Sequence, residues 1–199
     1  MKTMCLMFFL MTFFFASANE KRKDTISANL TIERFRSQLS EVRAIVNNAT
    51  SYNNKIAFFL DMQIKSGKYR FFVYDLINNK IIDQGLVAHG SGSETKIRGE
   101  LKFSNEVNSH STALGRYSIG KSYRGMFGKA YKLAGLDKTN NNAEKRAIVL
   151  HSYSAVPHEE QDYYIANSRG CPMVSEIFFK KLEKYIDTSK SKIILNIYY

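Results

Sequence analysis

The sequence predicts a mainly β fold, in which an antiparallel barrel or sandwich-like sheet carries attached helices, one of them N-terminal. Three observations support this fold class: most apolar runs alternate with a period of two, turn sequences separate successive runs as in hairpins, and only two segments show helical periodicity. A chain of 199 residues, 44% of them hydrophobic, can bury a core of its own. This composition excludes a wholly disordered chain, and the lack of a repeat period excludes a solenoid.

The first 18 residues have the pattern of an export signal. Lys2 precedes an apolar run from Met4 to Ala16, and Ala16-Ser17-Ala18 fits a signal-peptidase site. Because the run is shorter than the about 20 residues that cross a bilayer, we favour a cleaved signal over an uncleaved anchor. The predicted division is a signal peptide over residues 1–18, a polar leader and helix over 19–55, and a domain over 56–199, with no membrane span after cleavage.

The first predicted element is a helix from Thr31 to Asn47, whose apolar residues recur every three or four positions. The apolar segment from Ile56 to Met62 fits either a short helix or a strand. From Tyr69 the period changes to two, which predicts strands over Tyr69–Asp75 and Lys80–Ala88. Asn78-Asn79 between them predicts a hairpin turn.

A long segment from His89 to about Thr112 is rich in Gly, Ser and charge, which is typical of a functional or disordered loop. Further along, the β-branched run Arg146–Leu150 predicts a strand that ends at His151. The remaining predicted elements are a strand over Leu114–Gly120, a polar loop over Lys138–Glu144, a helix that begins at Ser175 and a closing strand over Lys192–Tyr199.

Cleavage after residue 18 would remove Cys5 and leave Cys171 as the only thiol. Exported proteins usually pair their cysteines, so a lone one is either reactive or, alternatively, buried as a small hydrophobe. The net charge of +11 favours anionic cell-envelope partners over nucleic acid, although lysine-rich faces are also ordinary solvated surface. Nucleic-acid modules, metal-ligand spacings and phosphate-binding loops are absent from the sequence, so we expect no nucleic acid, metal or cofactor.

The candidate nucleophile lies in the sequence Ser168-Arg169-Gly170-Cys171-Pro172, and His151 lies 20 residues upstream of the cysteine. A thiol needs a base or cationic surroundings to react near neutral pH, and His151 and Arg169 are the candidates for these roles. Gly170 permits a tight turn whose amides could stabilise an oxyanion. From the residues alone, a Cys/His acyl-transfer site and a buried structural cysteine remain equal alternatives.

The spacing from His151 to the Ser-Arg-Gly-Cys sequence resembles the signature of the L,D-transpeptidase catalytic domain family (YkuD-like), and Pro172 resembles its murein L,D-transpeptidase branch. The resemblance covers residues 56–199. Further segments similar to this family are Phe72–Leu76, Asn78–Lys80, Val87–Gly90, Phe103–Asn105 with Ser111 and Leu114-Gly115, and Arg146–His151.

The resemblance implies a mainly β catalytic fold that acts on peptidoglycan stem peptides in the periplasm or cell envelope. Cys171 would attack the carbonyl of the third residue and release the terminal D-Ala, leaving a thioester, while His151 would act as base and then acid. Amides of Arg169, Gly170 and Cys171 would form the oxyanion hole, and Ser168 would hydrogen-bond His151 or the loop backbone. An amine acceptor would complete L,D-transpeptidation, whereas water would give L,D-carboxypeptidation.

The chain departs from the family pattern at three positions: Arg169 replaces a frequent His or Trp, Ser152 a frequent Gly, and Met173 a frequent Arg. We expect His89, Ser152 and Tyr117 to be candidates for the walls of the substrate cleft. Two other functions remain as alternatives, a non-catalytic envelope-binding protein on the same fold and a cysteine hydrolase of other envelope amides. The sequence leaves the oligomeric state open.

Overall fold

The computed structural model describes residues 30–199, so the predicted signal peptide and most of the polar leader lie outside the described residues. The chain divides into two units after Ser40, and the second, residues 41–199, is compact. The described part of helix α1 covers residues 30–48, which confirms the predicted N-terminal helix. No helix within residues 30–199 has the length and apolar character needed to cross a membrane.

The second unit contains a nine-stranded sheet and one further helix. The strands are β1 (Ile56–Asp61), β2 (Phe71–Asp75), β3 (Lys80–Gly85), β4 (Val87–Ala88), β5 (Gly115–Gly125), β6 (Gly128–Gly135), β7 (Val149–Ser152), β8 (Met173–Val174) and β9 (Ile194–Tyr198), and helix α2 is Glu176–Asp187. The mainly β architecture with helices attached is therefore confirmed. The ambiguous segment after residue 55 is a strand, since β1 lies between two other strands and is buried on both faces.

The strand order is β3-β2-β1-β9-β5-β6-β7-β8-β4, and most neighbours are antiparallel. Two pairs, β1–β9 and β7–β8, are parallel. A parallel pair needs a long crossover. The residues 153–172, between β7 and β8, provide it, and they include the cysteine segment.

The two edge strands, β3 and β4, are consecutive in the chain and are separated by Leu86 alone. The sheet must therefore curl until its two edges approach each other, although no ladder joins β3 to β4 and the barrel stays open. The predicted single strand Lys80–Ala88 is wrong in this respect, because the chain passes from one edge to the other at Leu86.

The core lies between the curled sheet and α2. Phe178 of the helix packs edge-on against Phe71 of β2, with ring centroids 5.2 Å apart. Gly85 makes this approach possible, because a Cβ atom there would lie 2.4 Å from the Phe178 ring. The predicted helix start at Ser175 is confirmed, since the Ser175 hydroxyl caps the helix by accepting from the Phe178 amide at 3.1 Å.

Two strand predictions need correction in the region that builds the site. The strand predicted over Leu114–Gly120 continues to Gly125 and turns into β6, which the sequence reading missed. The strand predicted from Arg146 begins only at Val149. A turn occupies the preceding residues, and Ala147 has a positive φ of 52°, which a strand does not allow.

Candidate active site

Residues 167–172, here called the cysteine loop, are the last part of the crossover before β8 and carry the thiol. The Ser168 hydroxyl donates to the Cys171 carbonyl at 2.7 Å and accepts from the Gly170 amide at 3.1 Å. Gly170 has a φ of 108°, and a Cβ atom there would lie 2.9 Å from the Ser111 carbonyl oxygen. The tight turn at Cys171 therefore depends on the Ser168 hydroxyl and on the missing side chain of Gly170.

The Cys171 thiol is partly exposed and lies against the start of β7. Its Sγ accepts a hydrogen bond from the Val149 amide at 3.5 Å and donates to the Ala147 carbonyl at 3.8 Å. Burial raises the pKa of the thiol, and the Val149 amide and the charge of Arg146 lower it by less. The thiol is therefore protonated near neutral pH and needs a base before it can act as a nucleophile.

His151 ends the buried part of β7 and is almost fully enclosed. Its Nδ1 lies 2.9 Å from the Ser152 carbonyl oxygen, which can only accept, so Nδ1 carries the proton and Nε2 offers a lone pair. Burial lowers the pKa of this imidazole, which keeps it neutral near pH 7. Phe127, at the tip of the β5–β6 hairpin, stacks on the ring with centroids 5.1 Å apart and planes inclined by 20°.

Strand pairing brings the segments that carry the two groups side by side. His151 pairs with Met173 across the parallel β7–β8 ladder, and Cys171 lies two residues before Met173. The Pro172 carbonyl, next to Cys171 in the chain, accepts a hydrogen bond from the His151 amide at 3.4 Å. Within the described chain the thiol bonds to Val149 and Ala147 and not to His151, so the pair is adjacent but not yet hydrogen-bonded.

The cation beside the thiol is Arg146, not Arg169. Arg146 donates to the Ser104 carbonyl at 2.9 Å and also to the Ser111 carbonyl, and its guanidinium lies where a side chain on Gly170 would be. It is half-buried, and its charge is one of the causes that lower the Cys171 pKa. Arg169 is exposed on the loop surface. The sequence predicts the cation that neighbours the cysteine along the chain, whereas in the folded protein the cation comes from the turn before β7.

The three predicted cleft residues separate in the structure. Tyr117 is 1% exposed in the core, with its hydroxyl donating to the Ala113 carbonyl at 2.8 Å, so its predicted place on a cleft wall is wrong. His89 is also 1% exposed and lies in a buried charged cluster, so it does not line a cleft either. Ser152 is partly exposed and orients His151 through its carbonyl. Of the predicted oxyanion amides, that of Gly170 already donates to Ser168.

A cavity of about 680 Å³ is lined by residues of strands β5, β6 and β7 and of the turn before β7. Ala147 and Val149, the two hydrogen-bond partners of the thiol, belong to its lining. The charged side chains around it are Lys121, Lys132, Lys192 and Glu144. The cavity is therefore mainly basic, and neither Cys171 nor His151 belongs to its lining.

Sequence reasoning missed two residues of this site, Phe127 and Arg146. Phe127 follows Gly125-Met126, and the alternation after Gly128 is a period-two signal for the second strand of a hairpin. The sequence predicts that Arg146 lies in a strand. Its place as the cation beside the thiol is visible only from its tertiary contacts with the carbonyl groups. Within residues 30–199, no three His, Cys, Asp or Glu side chains are close enough together to hold a metal ion.

Comparison with known proteins gives one family match. A family model for the L,D-transpeptidase catalytic domain matches residues 27–198. A search of curated proteins finds no significant match.

Among solved structures, an L,D-transpeptidase from Xylanimonas cellulosilytica is similar over 73% of this chain and 61% of its own, with 12% identity and a TM-score of 0.38. Bd1075 from Bdellovibrio bacteriovorus is similar over 73% of this chain and 48% of its own, with 18% identity and a TM-score of 0.46. An L,D-transpeptidase from Mycobacterium tuberculosis is similar over 73% and 58%, with 13% identity and a TM-score of 0.38. The chain thus spans less than two thirds of the length of these structures.

Proposed function

Since the chain belongs to the L,D-transpeptidase catalytic domain family, we propose that it is an exported acyltransferase that uses Cys171 as its nucleophile on peptidoglycan stem peptides. One observation carries the proposal: Pro172, the residue after Cys171, accepts a hydrogen bond from the backbone amide of His151, a neutral histidine whose Nε2 offers a lone pair. The fold is compatible with other chemistry, and the residues at this position point to acyl transfer.

In the proposed acylation, Nε2 of His151 takes the proton of the Cys171 thiol as the sulfur attacks the carbonyl carbon of the third stem residue. The C–N bond to the terminal D-Ala then breaks. His151 returns the proton to the leaving amine, and the thioester remains on Cys171. This step requires Sγ of Cys171 and Nε2 of His151 to come within hydrogen-bond distance of each other.

Both groups start this reaction neutral. Burial raises the pKa of the Cys171 thiol and lowers that of the His151 imidazole, so a resting thiolate–imidazolium pair is disfavoured. His151 therefore acts as a general base during attack, rather than as a standing counterion. The charge of Arg146, which lowers the thiol pKa, also favours the negative charge that develops on the sulfur.

In the second step an acceptor replaces D-Ala. His151 takes a proton from the attacking amine of a second stem, the new amide bond forms, and the C–S bond breaks to regenerate the thiol of Cys171. With water as the acceptor, the same steps hydrolyse the thioester and leave a tripeptide. The first outcome is L,D-transpeptidation and the second is L,D-carboxypeptidation.

The charge of the cavity supports an anionic donor. Stem peptides carry free carboxylates, and three lysines against one glutamate line the cavity that Ala147 and Val149, the hydrogen-bond partners of the thiol, also line. Opposite charge raises the local concentration of such a substrate and weakens with added salt. The overall charge of +11 acts in the same direction on the anionic cell wall.

The test is covalent labelling combined with product analysis. The protein is exposed to a carbapenem, the β-lactam class expected to acylate such cysteines, and its intact mass is measured. Wild type should gain one adduct and should release D-Ala from a tetrapeptide stem. The Cys171→Ala variant should do neither, and His151→Gln should react about 10²–10⁴-fold more slowly. His158→Gln is the matched control, because His158 contacts the α2 cap and not the thiol.

The outcomes separate the alternatives. An equal adduct on Cys171→Ala, or none on wild type together with no D-Ala release, would contradict the proposal. If Cys171→Ala still binds isolated sacculi and wild type never releases D-Ala, a non-catalytic wall-binding protein is the better description. Product analysis with and without an amine acceptor distinguishes a transpeptidase from a hydrolase.

Export is tested separately on the full chain. Expression with residues 1–18 present should give a mature protein that begins at Asn19, as read from its intact mass. A protein that retains Met1 and stays in the cell membrane would show an anchor instead.

A further inference from the structure

We propose that a hydrogen-bonded series of side chains, from the buried Arg70 and His89 to the exposed Glu94, is a positioning device that anchors the cysteine loop through Asn167 and Ser168. The anchoring itself is independent of the reaction, and only its effect on catalysis rests on the proposed function. His89 thereby acquires a role different from the cleft residue that the sequence predicts.

This series of side chains begins at Arg70, which is buried, with 1% of its surface exposed. Its Nε and Nη2 donate to the Val87 carbonyl at 2.9 and 2.7 Å, and its Nη1 donates to the Ile64 carbonyl at 3.2 Å. Nη2 also lies 2.9 Å from Nδ1 of His89. Burial lowers the pKa of Arg70 to about 9, and the carboxylates of Asp61 and Glu94 oppose this, so the guanidinium stays charged near pH 7.

The charge on Arg70 determines the tautomer of His89. A guanidinium only donates, so Nδ1 of His89 must accept and the ring proton must be on Nε2. Nε2 lies 2.7 Å from Oε1 of Glu94 and donates to it. Burial, followed by the charge of Arg70, lowers the pKa of His89, so the imidazole passes a directed hydrogen bond to Glu94 without becoming charged. His151 has the opposite tautomer, which separates the two histidines chemically.

Glu94 and His89 then hold the cysteine loop from two sides. Oε1 of Glu94 accepts a second hydrogen bond, from the side-chain amide Nδ2 of Asn167, at 3.2 Å. The His89 carbonyl accepts from the Ser168 amide at 2.8 Å, and the Ser91 amide donates to the Ser168 carbonyl at 2.8 Å. The Ser168 hydroxyl in turn holds the Cys171 carbonyl. Each step from Arg70 to Cys171 is therefore a hydrogen bond or one peptide unit.

We expect these hydrogen bonds to restrict the motion of the cysteine loop, which carries the proposed nucleophile. An error of about 1 Å in the position of a nucleophile can cost about 10²-fold in rate. The network supplies fixed partners to Asn167 and Ser168, four and three residues before Cys171. Because the Glu94 side chain is 42% exposed, its removal leaves the core intact and acts on the loop.

The experiment compares Glu94→Ala, Glu94→Gln and Asn167→Ala with wild type, and Glu100→Ala is the control for an exposed carboxylate in the same region. Amide hydrogen exchange at Ser91 and Ser168 reports the anchoring. The first-order rate of acylation by a carbapenem, and its half-saturating concentration, report the catalytic effect.

For Glu94→Ala we expect exchange at Ser168 at least tenfold faster and acylation about tenfold slower, with the half-saturating concentration unchanged. Glu94→Gln keeps an oxygen acceptor and should restore most of both values. Asn167→Ala should show a smaller effect in the same direction, and Glu100→Ala should match wild type.

Unchanged exchange at Ser168 in Glu94→Ala would overturn the proposal, as would faster exchange with an unchanged acylation rate. Equal losses in Glu94→Ala and Glu94→Gln would also overturn it, because the directed hydrogen bonds would then be irrelevant. If wild type itself is not acylated while exchange responds as expected, the anchoring stands and the failure belongs to the proposed function.

Discussion

Replacing Gly90 with alanine should slow the proposed acylation through steric displacement alone. Gly90 has a φ of −71°, which alanine adopts without strain, so backbone conformation contributes nothing. A Cβ atom there would lie 2.2 Å from the His110 carbonyl oxygen and 2.9 Å from the Gly170 amide nitrogen, whereas ordinary contact begins at 3.4 Å. To restore ordinary contact, the separation from the His110 carbonyl would have to grow by about 1.2 Å and that from Gly170, whose Cα would lie 2.8 Å away, by about 0.6 Å.

Overpacking of this size costs about 1–3 kcal/mol of unfolding free energy. A shift transmitted to the residue before Cys171 should slow acylation by about 10–10²-fold. The assay is the first-order rate of carbapenem acylation, measured by intact mass at a temperature where both proteins are folded, together with urea unfolding. Gly67→Ala is the matched control, because its Cβ would lie 2.2 Å from the Tyr163 carbonyl, away from the cysteine loop.

The control should lose stability and keep its acylation rate. A folded Gly90→Ala protein that acylates within threefold of wild type would refute the reasoning, since the loop would then tolerate the displacement. Equal rate losses in Gly90→Ala and Gly67→Ala would show that lost stability, rather than loop position, causes the effect.

Three other predictions follow from the electrostatics and packing of the site. Arg146→Met should raise the pKa of Cys171, because a neighbouring cation is lost, and the pH profile of iodoacetamide alkylation should move upward; a profile that stays in place would contradict this. Phe127→Leu removes the ring stacked on His151, so the pKa of His151, followed by NMR, should rise toward its ordinary value as water enters, and a lower pKa would count against it. The pKa values of His89 and His151 are both lowered in the folded protein, so the unfolded chain binds more protons below about pH 6.5. The free energy of unfolding should therefore fall as the pH drops below about 6.5, by up to about 1.4 kcal/mol per pH unit for each histidine. Urea unfolding at pH 7.5 and 5.5 measures this, and a His89→Gln variant should lose less over the same range than wild type.

Local patterns carried the predictions that were confirmed. Helix α2 was predicted from a capping residue, Ser175, followed by apolar residues at helical spacing, and both signals lie within one short segment. The first hairpin was predicted from two alternating runs around Asn78-Asn79, and Asp75 stabilises that turn by accepting from the Asn78 amide at 2.8 Å. The mainly β class and the family resemblance rest on the same kind of local evidence.

The predictions that were wrong depended on contacts between distant residues. A sequence shows that Lys80–Ala88 is extended, but it does not show that Leu86 separates the two edges of a curled sheet. Likewise, Tyr117 alternates as a strand residue should, and its burial depends on which face of β5 the rest of the core covers. Parallel pairing of β7 with β8 also depends on the path of the crossover.

The sequence by itself determined the candidate nucleophile, because the hydrogen bonds that join Ser168 to Gly170 and Cys171 lie within four consecutive residues. It also determined the histidine at the end of a buried strand. The tertiary structure decided the surroundings of the thiol: its cation is Arg146 rather than Arg169, and His89 is a buried link rather than a cleft residue. The physical reason is that charge and hydrogen bonding act over a few ångströms in space, and strand pairing brings together residues that the chain keeps far apart.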